Sequence, residues 1–186
     1  ISFYIPSSNR GHTRATLPGY TSQVWNRLNQ IMDGGDSIIG RGWYNELIIV
    51  PFPGSTSIYY LFSAGVTSYL GLYYSIIDMN ENGGLGKVIQ KNTSIHYYET
   101  WDGIAAVKHA NGRDWWLISK DNRSGLPNGS NTFTKYLITN SGITESVQNI
   151  GSFIYGNEGT MTFSKTGSKF LFTSWSGLIE VLDFDR

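Results

Sequence analysis

Between Gly103 and Ser141 the chain alternates apolar-rich runs with short polar breaks, and the rest of the sequence repeats that rhythm. Ala106–His109 leads into Asn111-Gly112, a pair whose tolerance of positive φ suits a type I′ hairpin turn. Asp114–Lys120 (DWWLISK) and Phe133–Thr139 (FTKYLIT) follow. Runs this short and this rich in aromatic and β-branched residues predict strands, and three in succession predict an antiparallel meander.

The same arrangement lies on both sides. Upstream are LIIVPFPG (47–54), IYYLFSAG (58–65) and LYYSIIDMN (72–80); downstream are MTFSKTG (161–167), KFLFTSWSG (169–177) and LIEVLDFDR (178–186). Gly54, Gly112 and Gly167 recur at near-equal spacing, and behind each comes YYLF, WWLI or FLFT. Hairpin turns are therefore expected at Pro53–Ser55, Asn111–Gly112 and Thr166–Gly167. Self-similarity at this period marks a repeat architecture. Four-stranded units with glycine and aromatic punctuation predict an all-β chain, a partial β-propeller of WD40/YVTN-like type with three to four blades. The units fall at about 1–35, 45–92, 104–150 and 159–186 of a single domain or fragment.

Within the first unit, ISFYIP (1–6) reads as a second strand and QVWNRLNQIM (23–32) as a third. Ser22–Met32 is also the best helical stretch of the chain, although it is short and interrupted by polar residues. The second unit has strands at Glu46–Phe52, Ile58–Ser63 and Leu72–Asp78, with an outer strand at Lys87–Lys91. Pro51 and Pro53 put the end of its first strand at a rim, since proline donates nothing to a ladder. The segment 93–102 is read as a crossing. The third unit has Thr144–Ile150 as outer strand and a polar insert, Asp121–Asn131, expected to be an exposed contact loop. Adjacent pairs such as Tyr59-Tyr60, Tyr73-Tyr74 and Trp115-Trp116 point to opposite faces, so the sheets are expected to be covered on both sides. The fourth unit has three strands. It is expected to leave apolar surface open, drawn from Phe163, Phe170, Phe172 and Val181, beside a free edge.

Composition sharpens this only in part. The 186 residues include 22 Gly, 12 Tyr, 9 Phe and 6 Trp, which suits a β-rich chain. Fourteen basic residues balance fourteen acidic ones without a basic cluster, which argues against nucleic acid as a partner. No apolar run reaches the length of a spanning helix. The absence of cysteine excludes disulfides and thiolate metal sites. The chain opens at Ile1 and stops at Arg186 directly after a strand, so it is expected to be a piece of a longer parent chain.

Candidate chemistry is sparse. Asp78, Asn80, Asn82 and Gly83 occupy positions of a calcium loop, but Ile89 stands where its closing carboxylate belongs, so no cofactor beyond weakly held calcium is expected. Asx-turn chemistry with Gly83-Gly84 explains the same residues. Gly83–Gly86 has no helix after it to make a phosphate cradle. His12, His96 and His109 are dispersed, and His109 is expected at a rim, bonded to backbone. No serine lies in a nucleophile elbow. Glu99, Asp102 and Asp114 are the carboxylates from which an acid/base pair would be drawn. Residues expected in binding loops are Trp101, Asp121, Asn122, Arg123, Asn128, Asn131 and Trp175, and Asp36-Ser37-Ile38 fits a short O-glycosylation pattern.

The phrases LIIVPFPGSTSIYYLFS, GLYYSIIDMNENGGLGKV, AVKHANGRDWWLIS and VLDFD resemble the propeller region of large secreted surface proteins of Bacteroidetes. Those proteins are adhesin-like and exported by the type IX pathway. The resemblance covers most of 20–186 and carries no catalytic motif. The family has a longer lead-in before ISFY and continues past VLDFD with further blades. It implies a non-enzymatic module, secreted or at the cell surface, that contacts protein or glycan through rim loops. Its neighbours would be the rest of a parent chain or adjoining subunits. The alternative is a glycan-active hydrolase or lyase with carboxylates at the channel mouth.

Overall fold

Successive side chains of a strand leave its sheet on opposite sides, so a run such as Tyr59-Tyr60-Leu61-Phe62 must bury two faces at once. In the computed structural model, which describes residues 3–4, 21–40, 45–65, 70–121, 129–156 and 159–186, this is met by placing sheets face to face. Two small pieces come first. β1 (Phe3–Tyr4) pairs with β3 (Trp25–Asn26), and β2 (Thr21–Ser22) pairs with β4 (Ile38–Ile39).

Three larger antiparallel meanders follow. The first is β5 (Leu47–Pro51), β6 (Ile58–Gly65), β7 (Gly71–Asp78) and β8 (Lys87–His96). The second is β9 (Thr100–Lys108), β10 (Trp115–Asp121), β11 (Ser130–Thr139) and β12 (Gly142–Ile154). The third has only β13 (Gly159–Phe163), β14 (Lys169–Ser174) and β15 (Ile179–Asp183). The chain is all-β, its two complete sheets are four-stranded as expected, and no described sheet closes on itself. Among the described residues there is no α-helix, only a 3₁₀ turn at Asn82–Gly84. No helix among the described residues is long and apolar enough to cross a membrane.

Ser22–Met32 is not helical. The Asn26 side-chain oxygen accepts the N–H groups of Leu28 and Gln30, Asn29 takes φ 58°, and Ile31 returns to bridge Trp25. Local side-chain bonding of this kind competes with a helix, and an exposed Leu28 gives a helix nothing to bury.

The turns fall where the glycines placed them, with one change of type. At 109–114 the Gly112 N–H bonds the His109 carbonyl and the His109 N–H bonds that of Asp114. Gly112 has φ 74°, whereas Asn111 is not among the residues with positive φ. The expected type I′ turn is therefore replaced by a longer loop in which only the glycine is left-handed. Gly167 (φ 72°) closes 164–169 by the same pair of bonds. At the first hairpin Pro53 precedes Gly54 (φ 84°), and the Ser55 N–H bonds the Phe52 carbonyl.

Strand lengths also differ from expectation. β8 runs on to His96 and β9 starts at Thr100, so the crossing expected over 93–102 shrinks to Tyr97–Glu99. β12 extends on both sides of 144–150. Both outer strands are polar, and β12 is exposed along most of its length, so it carries no apolar alternation to mark its ends.

Three apolar layers hold the sheets together. Val24, Met32 and Ile38 cover Leu61, Ile77 and Val88 on one face of the first sheet. Its other face, with Val50, Tyr60, Phe62 and Leu72, meets Ile104, Leu117, Tyr136 and Ile138 of the second. The back of the second sheet, with Trp101, Ala105, Ile118, Phe133 and Ile154, meets Met161, Phe170 and Phe172 of the third. Leu117 and Ile118 thus serve different layers, as the pairing of adjacent apolar residues predicts. Of the four residues expected to supply the open surface, Phe170 and Phe172 are buried and Phe163 is half-buried between Phe170 and Phe184. The open face of the third sheet carries Val181, as expected, together with Ile179, 60% and 68% exposed.

The sheets approach most closely at their inner strands. Asn45, just before β5, forms a parallel bridge with Gly103 of β9, and its side chain donates to the Ile104 carbonyl at 2.8 Å. On the other side Gly103 faces β13, where a Cβ would come within 2.9 Å of the Gly159 carbonyl oxygen. Its φ is not left-handed, so alanine is barred there by space alone. Gly103→Ala is expected to lower unfolding free energy in urea by about 1–3 kcal/mol, the usual range for overpacking. An unchanged midpoint would show that β9 and β13 do not touch there.

Candidate functional site

Three aromatic side chains that find no partner in the three layers collect at one place. Past a register shift in its pairing with β11, β12 ends in Phe153 and Ile154, the latter paired with Ser130, and runs into Tyr155 and Gly156. Ile154 points inward and is buried, so its neighbours Phe153 and Tyr155 turn outward, 66% and 60% exposed. Opposite them is the β14–β15 turn, closed by the Gly177 N–H on the Ser174 carbonyl at 3.0 Å, with Gly177 at φ 93°. That turn lifts Trp175 into solvent, 69% exposed. Together with Ser152, Ser176 and Leu178 these residues line a cleft of about 300 Å³.

The cleft is held by specific bonds. The Ser152 N–H and hydroxyl both donate to Glu180 Oε1, at 2.8 and 2.7 Å, which ties the end of β12 to β15. The Ser174 and Ser176 hydroxyls lie 2.7 Å apart. Gly156 has φ 88°, and a Cβ there would lie 3.2 Å from Trp175 Nε1, so the indole edge rests against bare backbone.

Of the residues expected in binding loops, Trp175 is at this cleft. Trp101 is fully buried and packs edge-on against Phe172 with ring centroids 5.2 Å apart, so its bulk serves the layer between the second and third sheets. Asp121 is buried too and accepts from the Thr134 hydroxyl. Asn131 donates to the Gly151 carbonyl at 3.4 Å. Asn122, Arg123 and Asn128, with most of the expected contact loop, lie outside the described residues, as does His12. Phe153 and Tyr155 were not singled out by sequence. Their signal is the alternation SFIYG, which reads equally as a core strand.

The remaining candidates are separated or locally engaged. Asp78 accepts the Asn80 N–H at 2.9 Å, the Asn82 amide donates to the Gly86 carbonyl, and Asn82, Gly83 and Gly84 are all left-handed. This is the Asx-turn arrangement. Nowhere among the described residues do three His, Asp or Glu side chains come together. His109 Nδ1 accepts the Asn111 N–H at 3.0 Å and its ring stacks on Trp116. His96 is buried and stacks on Tyr98 at 3.6 Å. Asp102 lies near the start of β9, whereas Asp114 lies beyond its far end, about 20 Å away at strand spacing. Asp114 binds Arg113 Nε at 2.8 Å and Asn111 Nδ2 at 2.7 Å. Chiefly through the Arg113 hydrogen bond, its carboxyl is held down at about 2. Ser37 has φ 53° and its hydroxyl lies 3.5 Å from Asp36 Oδ2.

A second opening, of about 370 Å³, separates the outer strands of the first and second sheets and is bordered by Tyr60, Tyr74, Tyr136 and Glu145. Tyr60 and Tyr136 are core residues, and burial raises both phenol pKa values.

The most unusual charge lies between the second and third sheets. Lys120 is fully buried, and its Nζ donates to the Ser130 carbonyl at 2.7 Å. The same nitrogen sits 4.4 Å from the Phe133 ring centre and 5.5 and 5.6 Å from those of Phe172 and Trp101. Ring faces and a carbonyl compensate a cation incompletely. Desolvation lowers the Lys120 pKa from 10.5 to about 8, against the opposing pull of Glu180 and Asp121. Below pH 8 both folded and unfolded chains carry this proton and the folded one bears the burial penalty. Between about 8 and 10 only the unfolded chain keeps it, so stability rises with pH. The gain is expected to be up to about 2 kcal/mol. Above pH 10 the raised tyrosines act the other way, since the unfolded chain then loses phenol protons that the folded one retains. Urea melts at pH 7.5 and 9.5 measure the effect, and Lys120→Met is expected to abolish the difference.

The chain matches no known protein-family model, no curated protein and no solved structure.

Proposed function

We propose that this chain is a non-enzymatic binding module of a larger, exported cell-surface protein, in which the three sheets are blades of a β-propeller that presents a rim to its ligand. The observation that carries the reading is the gathering of Phe153, Tyr155 and Trp175 around one cleft at the ends of two sheets. Exposed aromatic rings clustered on rigid elements mark a contact surface, because single exposed apolar residues are ordinary but grouped ones are costly to leave in water.

Support for propeller blades comes from order and spacing. Successive meanders lie face to face, β9 runs close beside both β5 and β13, and the parallel bridge from Asn45 to Gly103 joins neighbouring inner strands. The uncovered face with Ile179 and Val181 suits a further sheet of the same kind, from the parent chain or an adjoining subunit. Support for export and surface location comes from the strand phrases that resemble the Bacteroidetes surface proteins.

The test is retention without turnover. The whole chain is passed over immobilised glycans and immobilised extracellular proteins, and the effluent is analysed for shortened or unsaturated sugar products. Retention is expected on one class, lost in the triple variant Phe153→Ser, Tyr155→Ser, Trp175→Ser, with no product formed. Product that disappears in Asp102→Asn would replace this reading with a hydrolase or lyase.

A further inference from the structure

We infer that the Phe153–Tyr155–Trp175 cleft takes a neutral β-linked pyranose, with one sugar face stacked on the Trp175 indole; the inference rests on the reading of the chain as a binding module. The first support is the state of the rings. Elsewhere in the second and third sheets aromatic residues stack edge-to-face, as Phe133 does with Phe170 and Phe172. Phe153, Tyr155 and Trp175 make no ring contact with any described residue, so their faces are open.

The second support is what borders them. Among the described residues no Lys, Arg, Asp or Glu lines the cleft; its polar side-chain groups there are the hydroxyls of Ser152, Tyr155 and Ser176 and the indole N–H of Trp175. Such a lining offers nothing to offset the desolvation of a charged ligand. It suits a solute with an apolar flat face and a rim of hydroxyls. In a pyranose with equatorial substituents the axial C–H bonds form such faces, and their slight positive charge meets the negative face of an aromatic ring. The hydroxyls then lie at the ring edge, within reach of serine side chains that both donate and accept.

The third support is preorganisation. Trp175 rests against the bare Cα of Gly156, where a Cβ would press to 3.2 Å from the indole nitrogen and the φ of 88° disfavours any side chain. Glu180 fixes the opposite wall by accepting both donors of Ser152. A platform already held in place loses little conformational freedom on binding. The volume of about 300 Å³ is at the lower end of ligand pockets, which suits one or two sugar rings and leaves the rest of an oligomer outside. A protein partner would press a larger apolar core against the same rings, and the hydroxyl border is poorly suited to that.

The whole chain is titrated with cellohexaose, β-1,4-mannohexaose and xylohexaose, followed by tryptophan fluorescence and calorimetry. Binding of at least one is expected, with a fluorescence change that vanishes in Trp175→Phe because the reporting indole is at the site. Trp175→Ala is expected to weaken it at least about tenfold. Gly156→Ala is expected to weaken it while Trp175 is retained, and thermal melts verify that both variants fold. Tyr97→Ala, which removes a ring 77% exposed at the β8–β9 crossing, is expected to bind normally. The inference is overturned if none of the three sugars binds, or if binding is indifferent to Trp175→Ala. Should the cleft variants instead abolish capture of an immobilised protein, the sugar assignment fails and the binding-module reading stands. If neither sugars nor proteins are retained, both fail.

Discussion

Everything in this structure depends on burying both faces of a sheet at once. A strand with Leu117 on one side and Ile118 on the other is stable only if each side has a neighbour, and the chain supplies one by folding the next repeat against it. Full burial of a Leu, Ile or Phe side chain contributes about 1.5–3 kcal/mol, so losing a neighbouring sheet removes several such terms together. The layers are therefore cooperative across repeats, although the strand ladders stay within each one and only a few bonds, such as Asn45 to Ile104 and Ser152 to Glu180, cross between them. The inner strands permit this closeness because Gly103 and Gly159 present backbone rather than side chain to each other.

The large sheets were legible in the sequence because their inner strands carry adjacent apolar residues and their turns carry glycine. The turn type at Asn111-Gly112 was not legible. That dipeptide favours a two-residue turn, but Asn111 here spends its side chain on the Arg113 and Asp114 N–H groups, which stabilises a longer loop. Outer strands were legible only at their centres. In β12 the sequence TESVQN faces solvent on most of its length and shows neither alternation nor apolar content to mark where pairing ends.

The candidate site was half visible for a related reason. Trp175 sits between serines and a glycine, so a turn was evident. Phe153 and Tyr155 alternate with Ile154 as core residues do, and only the three-dimensional position of β12 at an uncovered end reveals which side is wet. Trp101 shows the converse. Its aspartate and glutamate neighbours suggest a surface loop, yet it starts β9 beneath the third sheet. Sequence also gave no sign of the Lys120 ammonium, because a lysine in a strand ordinarily reaches solvent. Here the rings of Phe133, Phe172 and Trp101 close over it.

The unequal spacing of the first two sheets has a geometric consequence. At the inner edge the backbone bridge from Asn45 to Gly103 draws them together, and at the outer edge Tyr60, Tyr74 and Tyr136 border the 370 Å³ opening. Two sheets pinned close at one margin and propped open at the other cannot be parallel slabs; each pair encloses an angle. Side-chain volume at Tyr60 and Tyr136 on one side, and the backbone bridge at Gly103 on the other, therefore set the angle between the two sheets. Exchanging residues at those few positions would alter the angle between neighbouring sheets, without touching a single strand register.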